Sequence, residues 1–598
     1  MRISRAAIFL TTTAMMAATP ALAEDVVPPK VNVATPAGVN LSDGYFQLSA
    51  TDLAIGTLEL ERFTLPPAKL AVNDPYFGAG ITHNFDIYVA TGFSKAMPQP
   101  YPRPAEYHPV VHLGAGTSGV YLQSGTASTT VAPLNVEAEK GILAYSSGTY
   151  TYTDSSGTIY TFNPSVHAGG ASGATSQRID NILYPNGRRE SYSYNGSGQL
   201  KMVSDTAGYA IIFDYNTDGD VSAACSFDLA RDYVTASSTC TSATNKVTYA
   251  YTSKLLTSVT NVLSQVTSYN HSTTIGYGYP ITCVTPPGYS SCKVTNAASS
   301  GKVYEQVLAD GAVWDLAFDV ICTPDPDVPE TANGGCLVDL TDPNSKVSHF
   351  SFYNSSPVSI TDANGKTTTY QWMGAPLGEP LEYDQTPNGS FLVEADYPEG
   401  DKYLADYDGN FHAISRATRV AKPGSGLANL VETWGYSTGC TSPATLQNCA
   451  KPIWKKDARN NQTDYAYYGW GGLQWEMPPA PTSGAARPLK LYDFVQKYAY
   501  IKNSGGTLVA AASPIWVPNS ETDCQTVVGS STPTCDTGAQ VTVTTYEYGA
   551  TGVADDLLLR GKVVTTGGVS LRSCYGYDAQ SNKIWETSPR GTTSTSCS

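Results

Sequence analysis

The sequence predicts an all-β protein made of stacked antiparallel hairpins, and three observations carry that reading. The composition is rich in turn and strand formers (40 Tyr, 53 Gly and 38 Pro) with only 15% charged residues, and it lacks long Ala/Glu/Lys/Leu helical runs. In "SYNGSGQLKMVSDTAGYAIIFDYNTDGDVSAA", starting at Ser193, Tyr194, Gly198 and Leu200 recur as Tyr215, Gly219 and Val221. A second signature sets Asp, then Gly, Asn or Ser, then an aromatic at fixed spacing: Asp154/Gly157/Phe162, Asp205/Gly208/Phe213, Asp342/Ser345/Phe350, Asp362/Gly365/Tyr370 and Asp457/Asn460/Tyr465. A period of about 20 residues means units that stack, because one hairpin cannot bury enough surface by itself.

Each unit starts with a turn. The Asp carboxylate can accept backbone N–H groups, and Gly tolerates the positive φ that a tight turn requires. In "GKTTTYQW", Thr367, Thr369 and Gln371 then alternate with Lys366, Thr368, Tyr370 and Trp372, the period of a strand.

Before the repeats, residues 1–23 have a basic start (Arg2, Arg5), an apolar run and Ala21-Leu22-Ala23 ahead of Glu24, the pattern of a cleaved secretory signal. Residues 24–140 form a β-rich leader segment and 141–598 the repeat region. No later stretch is apolar for the roughly 20 residues that a bilayer span needs. With 36 basic against 52 acidic side chains, the net charge of −16 argues against nucleic acid and anionic membranes as partners. The expected location is therefore outside the cytoplasm: periplasmic, cell-surface or secreted.

The 12 cysteines fall in neighbouring pairs: Cys225 and Cys240, Cys283 and Cys292, Cys322 and Cys336, Cys440 and Cys449, Cys524 and Cys535, Cys574 and Cys597. Sequential pairing into six disulfides is the simplest connectivity in an exported chain. Zinc knuckles would need C-x2-C, which does not occur.

No motif for chemistry emerges. There is no G-x-S-x-G, P-loop or H-E-x-x-H. His108 and His112 straddle Pro109 in a Pro-rich run at 98–109, which reads as a surface loop, as do 323–329 and 478–488. His83 in "THNFD" reads as a structural residue at a strand end. "NTDGD" at Asn216 and "DYDGN" at Asp406 lack the spacing of a calcium loop and read as turns. Carboxylate pairs for glycoside cleavage cannot be picked out among 52 acidic residues. Tyr465, Tyr467, Tyr468 and Trp470 could stack on sugars but read first as sheet-packing residues. No catalytic residue, cofactor or metal site is expected.

The segments "YNGSGQLKMVSDTAGYAIIFDY", "TDANGKTTTYQW", "KDARNNQTDYAYY" and "YGYDAQSNKIWETSPRG" closely resemble YD repeats, the unit of bacterial Rhs proteins, found also in insecticidal toxin-complex subunits and animal teneurins. "GVNLSDGYFQLSATDLAIGTLELERF" and "PYFGAGITHNFDIYV" resemble the leader that precedes those repeats. The resemblance implies a left-handed spiral of sheet wrapping into a shell or partial shell around a toxin or effector. The family's C-terminal core with its self-cleaving Asp, and the toxin after it, find no counterpart before Ser598. The expectation is thus a non-enzymatic exported scaffold whose partner is a second chain carrying an Rhs core or toxin. The alternatives are an adhesin-like module that binds cell-surface glycan and, more remotely, an extracellular enzyme acting on polysaccharide.

Overall fold

The recurring Asp signature folds as expected and explains why the sheet is built of hairpins. In the computed structural model, Asp205 Oδ1 accepts N–H bonds from Ala207 (3.1 Å) and Tyr209 (3.0 Å). Asp362 does the same for Asn364 (2.8 Å) and Lys366 (2.9 Å), and Asp457 for Arg459 (2.9 Å) and Asn461 (2.8 Å). The fourth residue of each turn takes the left-handed conformation: Gly208 at φ 98°, Gly365 at 77°, and, without glycine, Ser345 at 62° and Asn460 at 63°. An L-residue there costs about 1–2 kcal/mol. Ser345→Gly is therefore expected to stabilise the protein by about 0.5–1 kcal/mol, whereas Gly365→Ala at the equivalent position destabilises it by about 1 kcal/mol. Urea denaturation of the two variants checks the opposite signs.

The structure describes residues 26–64, 77–94, 106–114, 118–123, 131–133, 141–166, 175–272, 280–319, 335–353, 356–372, 391–408, 413–438, 442–578, 581–589 and 597. The proposed signal, residues 1–23, lies outside them. So do Cys322, Cys440, the Pro-rich residues 98–105 and 323–329, and the Gly409-Asn410 end of "DYDGN".

From Thr175–Leu183 to Lys583–Glu586 each strand pairs antiparallel with the next, giving one continuous ribbon of sheet. The hairpin Tyr500–Lys502/Leu508–Ala510 is inserted between the paired strands Pro488–Lys497 and Ile515–Gln525. The ribbon does not close into a barrel. Thr175–Leu183 has Ile159–Asn163 on one edge, and shares its other edge between Arg189–Tyr194 and Ile87–Ser94. The described pairings of Lys583–Glu586 lead only back to Val569–Tyr577. Instead the ribbon coils on itself. Trp516 N–H bonds the Asn186 carbonyl (2.8 Å), Lys502 N–H the Leu229 carbonyl (2.7 Å), and Tyr209 OH meets Ser581 Oγ (3.1 Å). The helical turn among the described residues is the short Leu446–Cys449, after a 3-10 turn at Pro443–Thr445.

The leader makes its own three-stranded sheet, Ser49–Ile55, Leu58–Thr64 and Ile81–His83. Its Leu53, Ile55, Leu58, Leu60, Phe77 and Ile81 merge with Phe213, Val247, Tyr269 and Val338 of the ribbon in one core.

One expectation needs correction. Residues 106–109, read as loop, belong to the strand Glu106–Leu113, paired with Ile87–Ser94 and Ser118–Gln123. Pro109 fits because the pairing with Ser118–Gln123 skips from Tyr107 to Val110, so no ladder bond is asked of the missing N–H. His112 is therefore on a strand, its ring stacked on Tyr88 at 4.4 Å.

Candidate functional site: the two faces of the ribbon

Residues directly opposite each other across a sheet share a face, so the registers trace one face along the whole ribbon. It runs Phe213↔Ala224↔Val247, Tyr249↔Val259, Tyr269↔Val284, Leu316↔Leu340 and Val338↔Phe350↔Ile360. It continues through Tyr370↔Ala395↔Tyr403, Ala417↔Glu432 and Trp434↔Lys455. Its last part is Tyr465↔Glu476↔Lys490, Tyr492↔Glu521↔Thr544 and Tyr546↔Lys562.

The chemistry changes along this face. Up to Phe350 it is mostly apolar and buried under the leader, its buried amides Asn296 and Gln306 bonded to each other (2.8 Å) and Gln306 to Thr35 of the leader (2.7 Å). Around Leu392, Ala395, Tyr403 and Ala417 it packs against Val26, at the start of the described leader. Beyond Lys455 it becomes an incompletely covered lattice of aromatics and charges. Tyr492 OH donates to Glu476 (2.9 Å), Tyr546 OH to Glu521 (2.6 Å), and Lys490 Nζ lies 3.0 Å from Glu521. Burial pushes the Glu521 carboxyl up, but the bonds from Tyr546 and Lys490 outweigh it and hold the group below its ordinary value. The carboxylate is thus ionised and paired at neutral pH, and the hydroxyls are fixed in direction. Such a surface can hold a polar polypeptide or ligand without a deep cavity.

Two clusters fasten the leader to the apolar part. Arg62, 1% exposed, bonds Asp52 through Nε (2.7 Å) and Nη2 (3.0 Å), and its guanidinium lies over the rings of Tyr249 and Tyr269 at 5.9 and 5.7 Å. Tyr249 OH donates to the same carboxylate at 2.8 Å. Nearby, Arg178 Nη1 and the Thr82 hydroxyl each bond Asp86 at 3.0 Å. His83, at the end of its strand, is buried among Phe77, Phe85 and Phe213, and burial pushes its imidazole down to about 4, so it is neutral at pH 7.

The opposite face carries four of the disulfides. Cys225–Cys240, Cys283–Cys292, Cys524–Cys535 and Cys574–Cys597 are bonded, with Cα atoms 5.4–5.7 Å apart. Cys336 and Cys449 are disulfide-bonded as well, but Cys336 is in phase with Val338 on the leader face, its Sγ 3.9 Å from the Ser42 carbonyl of the leader. The strand cysteines 225, 283, 524 and 574 all sit one residue out of phase with the leader face. The Cys225–Cys240 loop, through its own Leu229, covers Met202, Ala210 and Ile212, and the Cys524–Cys535 loop helps to cover Met477 and Leu489.

The repeat positions divide accordingly. Phe162 and Phe213 are each 1% exposed and Phe350 8%, whereas Tyr370 and Tyr465 on the later part are half-buried. The aromatic run does not form one ladder: Tyr465 belongs to the leader face, Tyr467 OH bonds the Pro452 carbonyl (3.0 Å), and Trp470 stacks on Tyr468 and Trp516. Asn216 Oδ1 is occupied by the N–H groups of Asp218 and Asp220, both at 2.9 Å, as turn chemistry requires.

Sequence reasoning missed the role of the aromatic that ends alternate strands. Tyr194 OH bonds the Ile179 carbonyl (2.7 Å), Tyr215 OH that of Leu200 (2.6 Å), Tyr407 OH that of Leu392 (2.9 Å), and Trp372 Nε1 that of Pro357 (2.7 Å). The register shifts just before each of these aromatics. Such a bulge turns the side chain back across the preceding strand. The recurrence of Tyr194 as Tyr215 was the available signal.

No family model matches the chain. No curated protein matches it. Among solved structures it is similar to a crystal structure of TcdB2-TccC3-TEV, at 8% identity and TM-score 0.32 over 93% of this chain and 28% of that one. It is similar also to a crystal structure of TcdB2-TccC3, at 11% identity and TM-score 0.30 over 89% and 27%, respectively. A third is the Tc holotoxin pore of Photorhabdus luminescens, at 11% identity and TM-score 0.31 over 92% and 29%. The chain spans less than a third of the length of each of these chains.

Proposed function

We propose that this chain is a non-enzymatic, exported scaffold of the Rhs/YD-repeat kind, a wall that encloses or presents a second polypeptide such as a toxin or effector. The observation that carries the reading is the change along one continuous sheet face. The first part is filled by the chain's own leader. The later part offers oriented Tyr, Glu and Lys side chains to something else. Four described disulfides support an oxidising, exported setting. Among the described residues no helix is long and apolar enough to cross a membrane.

The test is isolation of the exported protein from its host under non-reducing conditions, with identification of what co-purifies. The reading expects a second chain whose release increases the reactivity of Tyr465, Tyr492 and Tyr546. Recovery of the protein alone, together with binding to purified cell-surface glycans, would replace it with a free-standing adhesive module.

A further inference from the structure

The coil is held where its first hairpins meet strands that follow much later in the sequence, and this seam contains a group of charges that the scaffold reading does not use. Arg231 donates through Nε to Asp228 (3.0 Å) and through Nη2 to Asp555, 324 residues away. The side chains of Asp228 and Asp555 are 5% and 6% exposed, while Arg231 reaches solvent at 43%. Both carboxylates are bonded to the one guanidinium, which draws them together across the seam. Asp555 Oδ1 is buried with no donor on it. Asp228 Oδ1 already accepts the Ala230 N–H (2.9 Å). Two carboxylates this close, out of water and with a single guanidinium between them, cannot both stay ionised without a large penalty.

We propose that Asp228 and Asp555, bridged by Arg231, form a proton-dependent latch across the seam. A proton held by Asp228 beside the Asp555 carboxylate holds the early and late passes of the ribbon together, and its release to solvent loosens them. The surrounding groups agree with this. The Tyr209 phenol, bonded to Ser581, is close enough to both carboxyls to feel their charge, Lys502 Nζ binds the Arg231 carbonyl rather than a carboxylate, and Lys497 acts on the neighbouring Asp556. Arg231 is thus the cation bonded to the pair. Burial, followed by the contact with Asp555, pushes the Asp228 carboxyl up to about 7, and burial pushes Asp556, 2% exposed, up to about 6.

The sign follows from those directions. A carboxyl raised in the closed state and ordinary in the open state favours closure at acid pH. That preference is lost as pH climbs from the ordinary carboxylate range to about 7, and then levels off.

The experiment is residue-resolved hydrogen exchange on the full chain between pH 5 and 8, corrected for intrinsic rates. The seam amides are those of Lys502, bonded to Leu229, and Trp516, bonded to Asn186. Their protection should fall by about tenfold per pH unit between pH 5 and 7, relative to Ile212 inside the sheet. In Asp228→Asn the amide keeps the bond to Ala230 and cannot ionise, so the fall between pH 6 and 7 should vanish, Asp556 leaving a slope only below about 6. Asp555→Asn gives the same reading if the first variant does not fold. Equal pH dependence at the seam and at Ile212 in the wild type, or an unchanged slope in the asparagine variants, would overturn the latch.

Discussion

Replacing Asp52 with alanine is expected to destabilise the protein by about 3–5 kcal/mol and to release the leader from the ribbon. The cost arises from what stays behind. Arg62 is 1% exposed and sits between the rings of Tyr249 and Tyr269, where aromatic faces attract a cation but cannot replace a carboxylate. Burial by itself would push the guanidinium pKa down, and Asp52 reverses this and raises it. Without Asp52, the Tyr249 hydroxyl also loses its acceptor. The double variant Asp52→Ala/Arg62→Met, which removes the charge with its partner, should recover much of the loss. Urea denaturation gives the energies, and limited proteolysis between residues 26 and 64 reports leader release. A loss below about 1 kcal/mol for Asp52→Ala would mean that the clamp does not hold the leader.

Replacing Cys225 and Cys240 together with serine is expected to cost about 3 kcal/mol, the chain-entropy value for a closed loop of this size. The bond closes a sequence separation of 15 residues. Its loop shields Met202, Ala210 and Ile212 on the outer face, and the Cys240 N–H bonds Asp214 Oδ2 at 2.7 Å. Hydrogen exchange should therefore rise in residues 229–245 and on the strand Tyr209–Tyr215, while the leader strands Ser49–Ile55, Leu58–Thr64 and Ile81–His83 stay protected. Calorimetry and exchange together check both parts. Exchange that rises equally in the leader would contradict the separation of the two faces.

The hairpins were legible in the sequence because each turn is a local device: Asp or Asn accepts two N–H groups, and the residue at positive φ is mostly Gly. Ser345 and Asn460 fill the same place, so the spacing mattered more than the glycine. The faces were not legible. Alternation gives parity within one strand, but the register shifts before Tyr194, Tyr215, Tyr251 and Tyr407, among others, so counting by two loses its phase from strand to strand. The clamp was hidden because Asp52 and Tyr249 are 197 residues apart, and the latch because Asp555 belongs to a loop with no motif. Pro109 misled because proline usually ends a strand, and here it falls at a gap in the ladder.

One sheet face is filled by the leader at its start and incompletely covered at its end. Hydroxyl-radical footprinting of the isolated protein at single-residue resolution tests it most directly. Tyr249 and Tyr269, 6% and 4% exposed, should be protected, while Tyr465, Tyr492 and Tyr546 on the same face should react readily. Equal reactivity of the two groups, or protection of the later tyrosines and reaction of the earlier ones, would contradict the account.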